Sequence, residues 1–485
     1  MPMIGKIFHG MLLGVLLLSG CAKAPQEKVI ILQTGRMAGN VYPLELKGVA
    51  PLQHYPYLAS YVKQVRAEAA VEGARVLLID SGDSLLGSFA SYATQAQNVV
   101  TLFNELKYDA VFLGNLDANL DESMVSTLKV PILIPFVRGG NQPAMAGAKL
   151  ALKIPGKGSD LVLLPNFYGN LEKSEAPHRF PVWFGTAVGN VEPLRDYPGV
   201  LATLGNLSPD SLMLFHWMKF EPSEQVPEAY LKELKGLGVD LILAHSIYSS
   251  TRRDTWQQRD FSSWGIPVSE NILRQNRGFT VARVEMVRDK TGWRQEGQPR
   301  LIPLNANIAP ADPGIISTLA PFAEKIRQAD QVLGQIEEAV DEEALLRFQL
   351  ATLSRVPGAS VVFYSAASVR GGLDPGKLTA SKLYNALPWT NELDLLELTP
   401  EQYVRFRQMK GYVILSKPGA GIKPVVVTSR YFARILQASL GIGQDQVKAV
   451  GTVNEFDFVK TAIRAGAPLP SSNPKLGDWV YEKLE

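Results

Sequence analysis

Val76-Leu77-Leu78-Ile79 runs into Asp80-Ser81-Gly82-Asp83, and Ala110-Val111-Phe112-Leu113 runs into Gly114-Asn115-Leu116-Asp117. Each is a short apolar run ending in acidic, amide and glycine residues, the pattern of a buried strand that delivers polar side chains at its carboxyl end. Working outward, residues 29–32 read as another buried strand, 58–72 as a helix and 97–107 as a second helix. Residues 130–136 read as a strand, 226–238 as a helix closed by Gly238, and 240–244 as the strand that follows. This alternation predicts an α/β domain with strands buried on both faces. Residues 278–287 alternate more like an antiparallel strand.

At 485 residues the chain is too long for one core. A helix is expected over 316–332, with a second α/β unit beyond it: strands at 360–363, 392–398 and 425–428, and helices at 380–385 and 400–409. The predicted division is a domain over 29–315, a linking helix over 316–335 and a second domain over 336–485. Residues 139–207, rich in Gly, Pro and Asn, give no clear order of elements. The net charge of +2, with 46% hydrophobic and 20% charged residues, excludes a strongly basic surface, so no nucleic-acid polymer is expected as a partner.

The first 21 residues read as a targeting segment. Lys6 precedes an apolar stretch over 11–18, well short of the roughly 20 residues a membrane-spanning helix needs. Leu18-Ser19-Gly20-Cys21 resembles a bacterial lipobox, which implies a lipidated Cys21, a tether over 22–28 and an extracytoplasmic protein anchored in the cell envelope. A cleaved secretory signal is the plainer alternative. Cys21 is the only cysteine, so the chain forms no internal disulfide.

Several polar residues bear on function. Asp80 and Asp83 offer carboxylates to a hard cation, or cap a turn. Asn115 offers an amide oxygen, while Asp117 and its neighbours suit a capping turn equally well. His245 stands at a strand end as a ligand or a structural group. Gly371 to Leu378 nearly spells a phosphate loop but carries Leu378 where a hydroxyl is required, and reads as a turn. Arg370 suits two-pronged recognition of phosphate or carboxylate, and Trp389, beside Asn391, offers a ring for a base to stack on; a core Trp and a surface ion pair are the alternative.

Together these segments resemble the 5'-nucleotidase family, a calcineurin-like metallophosphoesterase domain followed by a 5'-nucleotidase C-terminal domain. Residues 30–39 resemble the first strand and its Asp-x-His loop, and 77–87 the Asp-x-Gly-Asp segment. Residues 104–117 resemble the stretch ending Gly-Asn-His-Glu, and 238–245 the strand leading to a ligand His. In the second domain 365–370 resemble Asn-x-Gly-Gly-Ile-Arg, 378–398 carry Pro388-Trp389-Thr390-Asn391 for Pro-Phe-Gly-Asn, and 425–433 resemble the strand bearing a second stacking aromatic. The resemblance implies a lineage of phosphate-monoester hydrolases acting on nucleotides. It also shows departures: Arg36 and Ala38 replace a ligand Asp and His, and Leu116 and Asn119 occupy the catalytic His and Asp positions. Asp83, Asn115 and His245 remain as implied ligands, enough for at most one divalent ion. Arg370, Trp389, Asn391 and Tyr431 or Phe432 remain as implied substrate contacts. The expected ligand is a nucleotide or phosphorylated small molecule. The competing expectation is a non-catalytic nucleoside-binding or scaffold lipoprotein.

Overall fold

The computed structural model describes residues 27–35, 37–41, 55–114, 117, 120, 122–134, 136–137, 143, 145, 147–156, 158–167, 192–194, 196–219, 228–246, 268–271, 280–365, 368–419 and 424–484. Cys21, and with it the targeting segment and most of the tether, lies outside them. No helix among the described residues is long and apolar enough to cross a membrane.

The amino-terminal half is built on two sheets. Glu27–Thr34, Arg75–Asp80, Ala110–Phe112 and Ile132–Leu133 pair in parallel; Thr280–Asp289 lies antiparallel on the other side of Glu27–Thr34, and Gly292–Gln295 and Arg300–Pro303 pair with it beyond. The second sheet runs in the order Val268–Asn271, Leu241–Ser246, Leu212–Lys219, Leu161–Phe167, Leu152–Ile154. Side-chain alternation along each strand explains the layering. Val29, Ile31, Leu77, Ile79, Leu214 and Leu243 meet between the sheets. Ile30, Leu32, Leu78, Phe215 and Ile242 face outward into a separate core beneath the helices. The strands carry apolar residues on both faces because both faces are covered.

The predicted strand at 130–136 is split in two, Ile132–Leu133 and Phe136–Val137. The segment 139–207, which the sequence left unordered, supplies two strands of the second sheet and the helix Tyr197–Thr203. The bridging helix is Pro313–Ala329, started by Asp312, whose carboxylate accepts from the Ile315 N–H at 3.1 Å, and by Pro313 at its first position.

The carboxyl-terminal half has a six-stranded sheet in the order Val447–Asn454, Glu392–Glu397, Val425–Ser429, Val361–Ser365, Tyr412–Ser416, Val480–Leu484. Its core is separate except at two helices: Pro313–Ala329 sends Ala323 and Ile326 into it, while its Ile315 and Leu319 join the amino-terminal core. Phe89 and Ala90, from the short helix Phe89–Thr94 of the amino-terminal half, are also buried in the carboxyl-terminal core. A capping box sets that helix: the Ser91 N–H donates to Ser88 Oγ at 3.2 Å, and the Ser88 N–H to Ser91 Oγ at 3.3 Å.

Candidate functional site

The two polar loops meet backbone to backbone. Gly82 adopts φ +96°, and a Cβ there would lie 2.8 Å from Gly114 N; a Cβ on Gly114 would lie 2.3 Å from Asp83 N. Only paired glycines let the loops touch this closely. Asp83 is fully buried and left-handed at φ 56°. Strained, buried polar residues of this kind concentrate at functional sites.

The neighbouring carboxylates serve the loops themselves. Asp80 accepts from the Gly82 N–H at 2.9 Å, from the Thr34 hydroxyl at 2.8 Å and from the Ser84 hydroxyl at 3.0 Å. Asp117 accepts from the N–H groups of Leu85 (3.0 Å), Leu86 (3.2 Å) and Gly114 (3.0 Å), stapling one loop to the other. Burial pushes both carboxyls up to about 7, and the nearby Asp83 charge adds to the shift. Among the described residues no three His, Cys, Asp or Glu side chains converge on a cation position. Asp80 and Asp117 thus each spend three hydrogen bonds on holding the loops together.

The other implied ligands are not brought to this point by any described contact. Arg36, Asn115, Leu116 and Asn119 lie outside the described residues. His245 sits in the strand Leu241–Ser246, opposite Met218 and Asn271, and its side chain is likewise outside what is described. The buried histidine that is described, His216, stacks on Phe112 at 4.1 Å between the sheets, as part of the core.

The second half presents a different picture. Arg370, Trp389, Asn391 and Tyr431 line one cavity of about 630 Å³ together with Leu86, Gly87 and residues 91–95 of the amino-terminal half. That volume lies within the range of small-molecule sites. The Trp389 ring is fixed by its Nε1–H, which donates to the Ser368 carbonyl, and the Arg370 guanidinium lies 5.1 Å from the ring. The main chain of Asn391 accepts from the Glu455 N–H at 2.9 Å. Phe432, an implied stacking residue, does not line the cavity. Its ring is buried against Phe363 and Tyr364 at 5.9 and 5.3 Å, and half-buried Tyr431 takes the wall position. The two neighbours differ because Arg430–Leu440 is helical, so successive side chains point about 100° apart.

Sequence reasoning missed the rest of the wall: Tyr92, Tyr384, Lys325, Asp457, Lys460 and Arg464. Tyr92 lies 5.4 Å from Tyr384 and 5.1 Å from Phe456, and its hydroxyl donates to Asp457. Lys460 reaches both the Tyr92 oxygen at 2.9 Å and Asp457. Burial pushes the Asp457 carboxyl up, but hydrogen bonds from Lys460 and Tyr92 outweigh it and hold the group below its usual value. The cavity thus carries Lys325, Arg370, Lys460 and Arg464 against the single carboxylate Asp457, a positive field in a nearly neutral protein. No single sequence period marks these residues, because they come from four helices far apart in the chain.

Compared with solved structures, the chain matches a 5'-nucleotidase precursor from Thermus thermophilus with a TM-score of 0.60 at 14% identity, over 92% of this chain and 99% of that one. The fold is that of the two-domain 5'-nucleotidases. A 5'-nucleotidase from Candida albicans matches with a TM-score of 0.56 at 12% identity, over 91% of this chain and 100% of that one. A Thermus thermophilus sulfate thiohydrolase, SoxB, matches with a TM-score of 0.53 at 13% identity, over 94% and 96%. No family model matches the sequence, and no curated protein does. Identity this low establishes shared architecture alone, and architecture hosts more than one chemistry.

Proposed function

We propose that this chain is a lipid-anchored envelope protein of 5'-nucleotidase lineage that binds a nucleotide or nucleoside in the cavity between its two halves. The observation carrying this reading is the convergence of Trp389, Tyr431, Arg370 and Asn391 on one positively charged cavity. Trp389 and Tyr431 offer faces for a base, each worth roughly 1–3 kcal/mol per stacked base. Arg370 offers a planar fork to phosphate or ribose oxygens. Two-metal hydrolysis is lost in this reading, because Asp80 and Asp117 serve the loops and Arg36, Ala38 and Leu116 stand where ligands or the catalytic His would be. Cys21 supplies the membrane anchor.

A second reading, hydrolysis of a phosphate monoester with one cation on Asp83, Asn115 and His245, is favoured by the buried left-handed Asp83. One experiment separates the two. The mature protein is titrated with adenosine and AMP while Trp fluorescence and thermal stability are followed, in EDTA and in Mn²⁺, and phosphate release from AMP is measured alongside. The binding reading expects metal-independent stabilisation that is lost in Trp389→Ala and no turnover. Metal-dependent phosphate release abolished by Asp83→Ala would overturn it.

A further inference from the structure

One wall of the cavity is a single helix face. Asn454 caps the helix Glu455–Arg464, accepting the Asp457 N–H at 2.8 Å, and Asn454, Asp457, Lys460 and Arg464 all line the cavity. The spacing of three, three and four residues keeps them on one side. The start of this helix is pinned beside Asn391, two residues from Trp389, by the Glu455 N–H. Arg464 lies nine residues beyond Glu455, about 13.5 Å at the helical rise. The aromatic end and the Arg464 end are therefore separated by more than the length of one phosphate group.

The cations towards the far end differ in how they are partnered. Lys460 is already engaged with Asp457 and rests over the rings of Tyr92 and Phe456, 5.2 Å from each. That pair neutralises itself. Arg464 donates one N–H to the Gln331 side chain, and among the described residues neither Arg464 nor Lys325 is in an ion pair. A guanidinium has five N–H donors, so a glutamine that holds one leaves a fork able to take two oxygens.

We propose that Arg464 and Lys325, with Lys460 fixed behind them, form a second anion subsite, and that the cavity takes an elongated nucleotide whose phosphate chain reaches from the aromatic end to this one. The nucleotide part rests on the function proposed above; the anion subsite stands independently of it. Arg370 serves the near end of such a ligand, and the Glu455–Arg464 helix sets its length.

The test uses the full mature chain and two probes. Pyrophosphate, titrated at low ionic strength by calorimetry, binds the wild type, and its affinity falls at least tenfold in the folded Lys325→Gln/Arg464→Gln double variant. ATP binds the wild type at least fivefold more tightly than AMP, and this ratio collapses towards one in the double variant. Pyrophosphate that fails to bind the wild type, or binds the double variant equally well, overturns the subsite. An unchanged ratio of ATP to AMP overturns the elongated ligand. If pyrophosphate behaves as expected while adenosine and AMP do not bind at all, the subsite stands and the nucleoside reading fails.

Discussion

At the scale of single residues, the chemistry turns on what a carboxylate is already holding. Asp117 satisfies three backbone N–H groups, those of Leu85 and Gly114 in buried surroundings. Asp117→Ala leaves them orphaned, and an expected destabilisation of about 2–4 kcal/mol is checked by urea unfolding; a change below 0.5 kcal/mol would show the staple to be dispensable. The buried acids also set a pH dependence. Burial raises Asp80 and Asp117 to about 7 and Glu455, which receives the Tyr364 hydroxyl, to about 8. Their folded values lie above those of the unfolded chain, near 4, so the folded chain holds more protons between about pH 4 and 8. The associated stability is complete below pH ~4 and is lost as pH rises through 7 to 8. Thermal midpoints are expected to fall from pH 5 to pH 8, and Glu455→Gln should flatten the upper part of that fall. Superimposable pH profiles for the variant and the wild type would contradict this. Neither effect is legible from sequence: Asp117 reads there as a turn cap, which it is, but the second loop that it caps is 31 residues away.

At the scale of elements, strand periodicity carried the reading far. Apolar runs at 29–32, 76–79, 110–113 and 240–244 lie within, or within a residue or two of, the strands Glu27–Thr34, Arg75–Asp80, Ala110–Phe112 and Leu241–Ser246. They are readable because strands buried on both faces must be apolar throughout. The antiparallel character of Thr280–Asp289 was visible in its alternation. The strands Leu152–Ile154 and Leu161–Phe167 were not, because a surrounding excess of Gly, Pro and Asn masks two ordinary β segments. The contact of the Gly82 and Gly114 loops gives an element-level prediction. Gly114→Ala drives a methyl into the Asp83 backbone and side chain, and the expected loss is about 1–3 kcal/mol, measured by denaturant titration; a wild-type midpoint would show that the loops separate freely.

For the whole molecule, the helix Phe89–Thr94 decides how the halves relate. It follows the Asp80–Asp83 loop in the chain, yet its Phe89 and Ala90 belong to the carboxyl-terminal core, and its Tyr92 reaches Asp457 and Lys460. The wild type is expected to unfold in one calorimetric transition, and Tyr92→Ala to broaden or split it by weakening this joint; an unchanged single transition in the variant would place the coupling elsewhere. The sequence by itself determined the α/β class, the presence of two units and the absence of an internal disulfide, because these are matters of periodicity, length and residue identity. The tertiary structure alone decided that Asp117 is engaged by three backbone donors and Asp80 by one backbone donor and two hydroxyls, that Tyr431 and not Phe432 faces the cavity, and that Lys325 and Arg464 share it with Trp389. Those outcomes depend on side-chain direction and on contacts between segments tens to hundreds of residues apart, which no local pattern encodes.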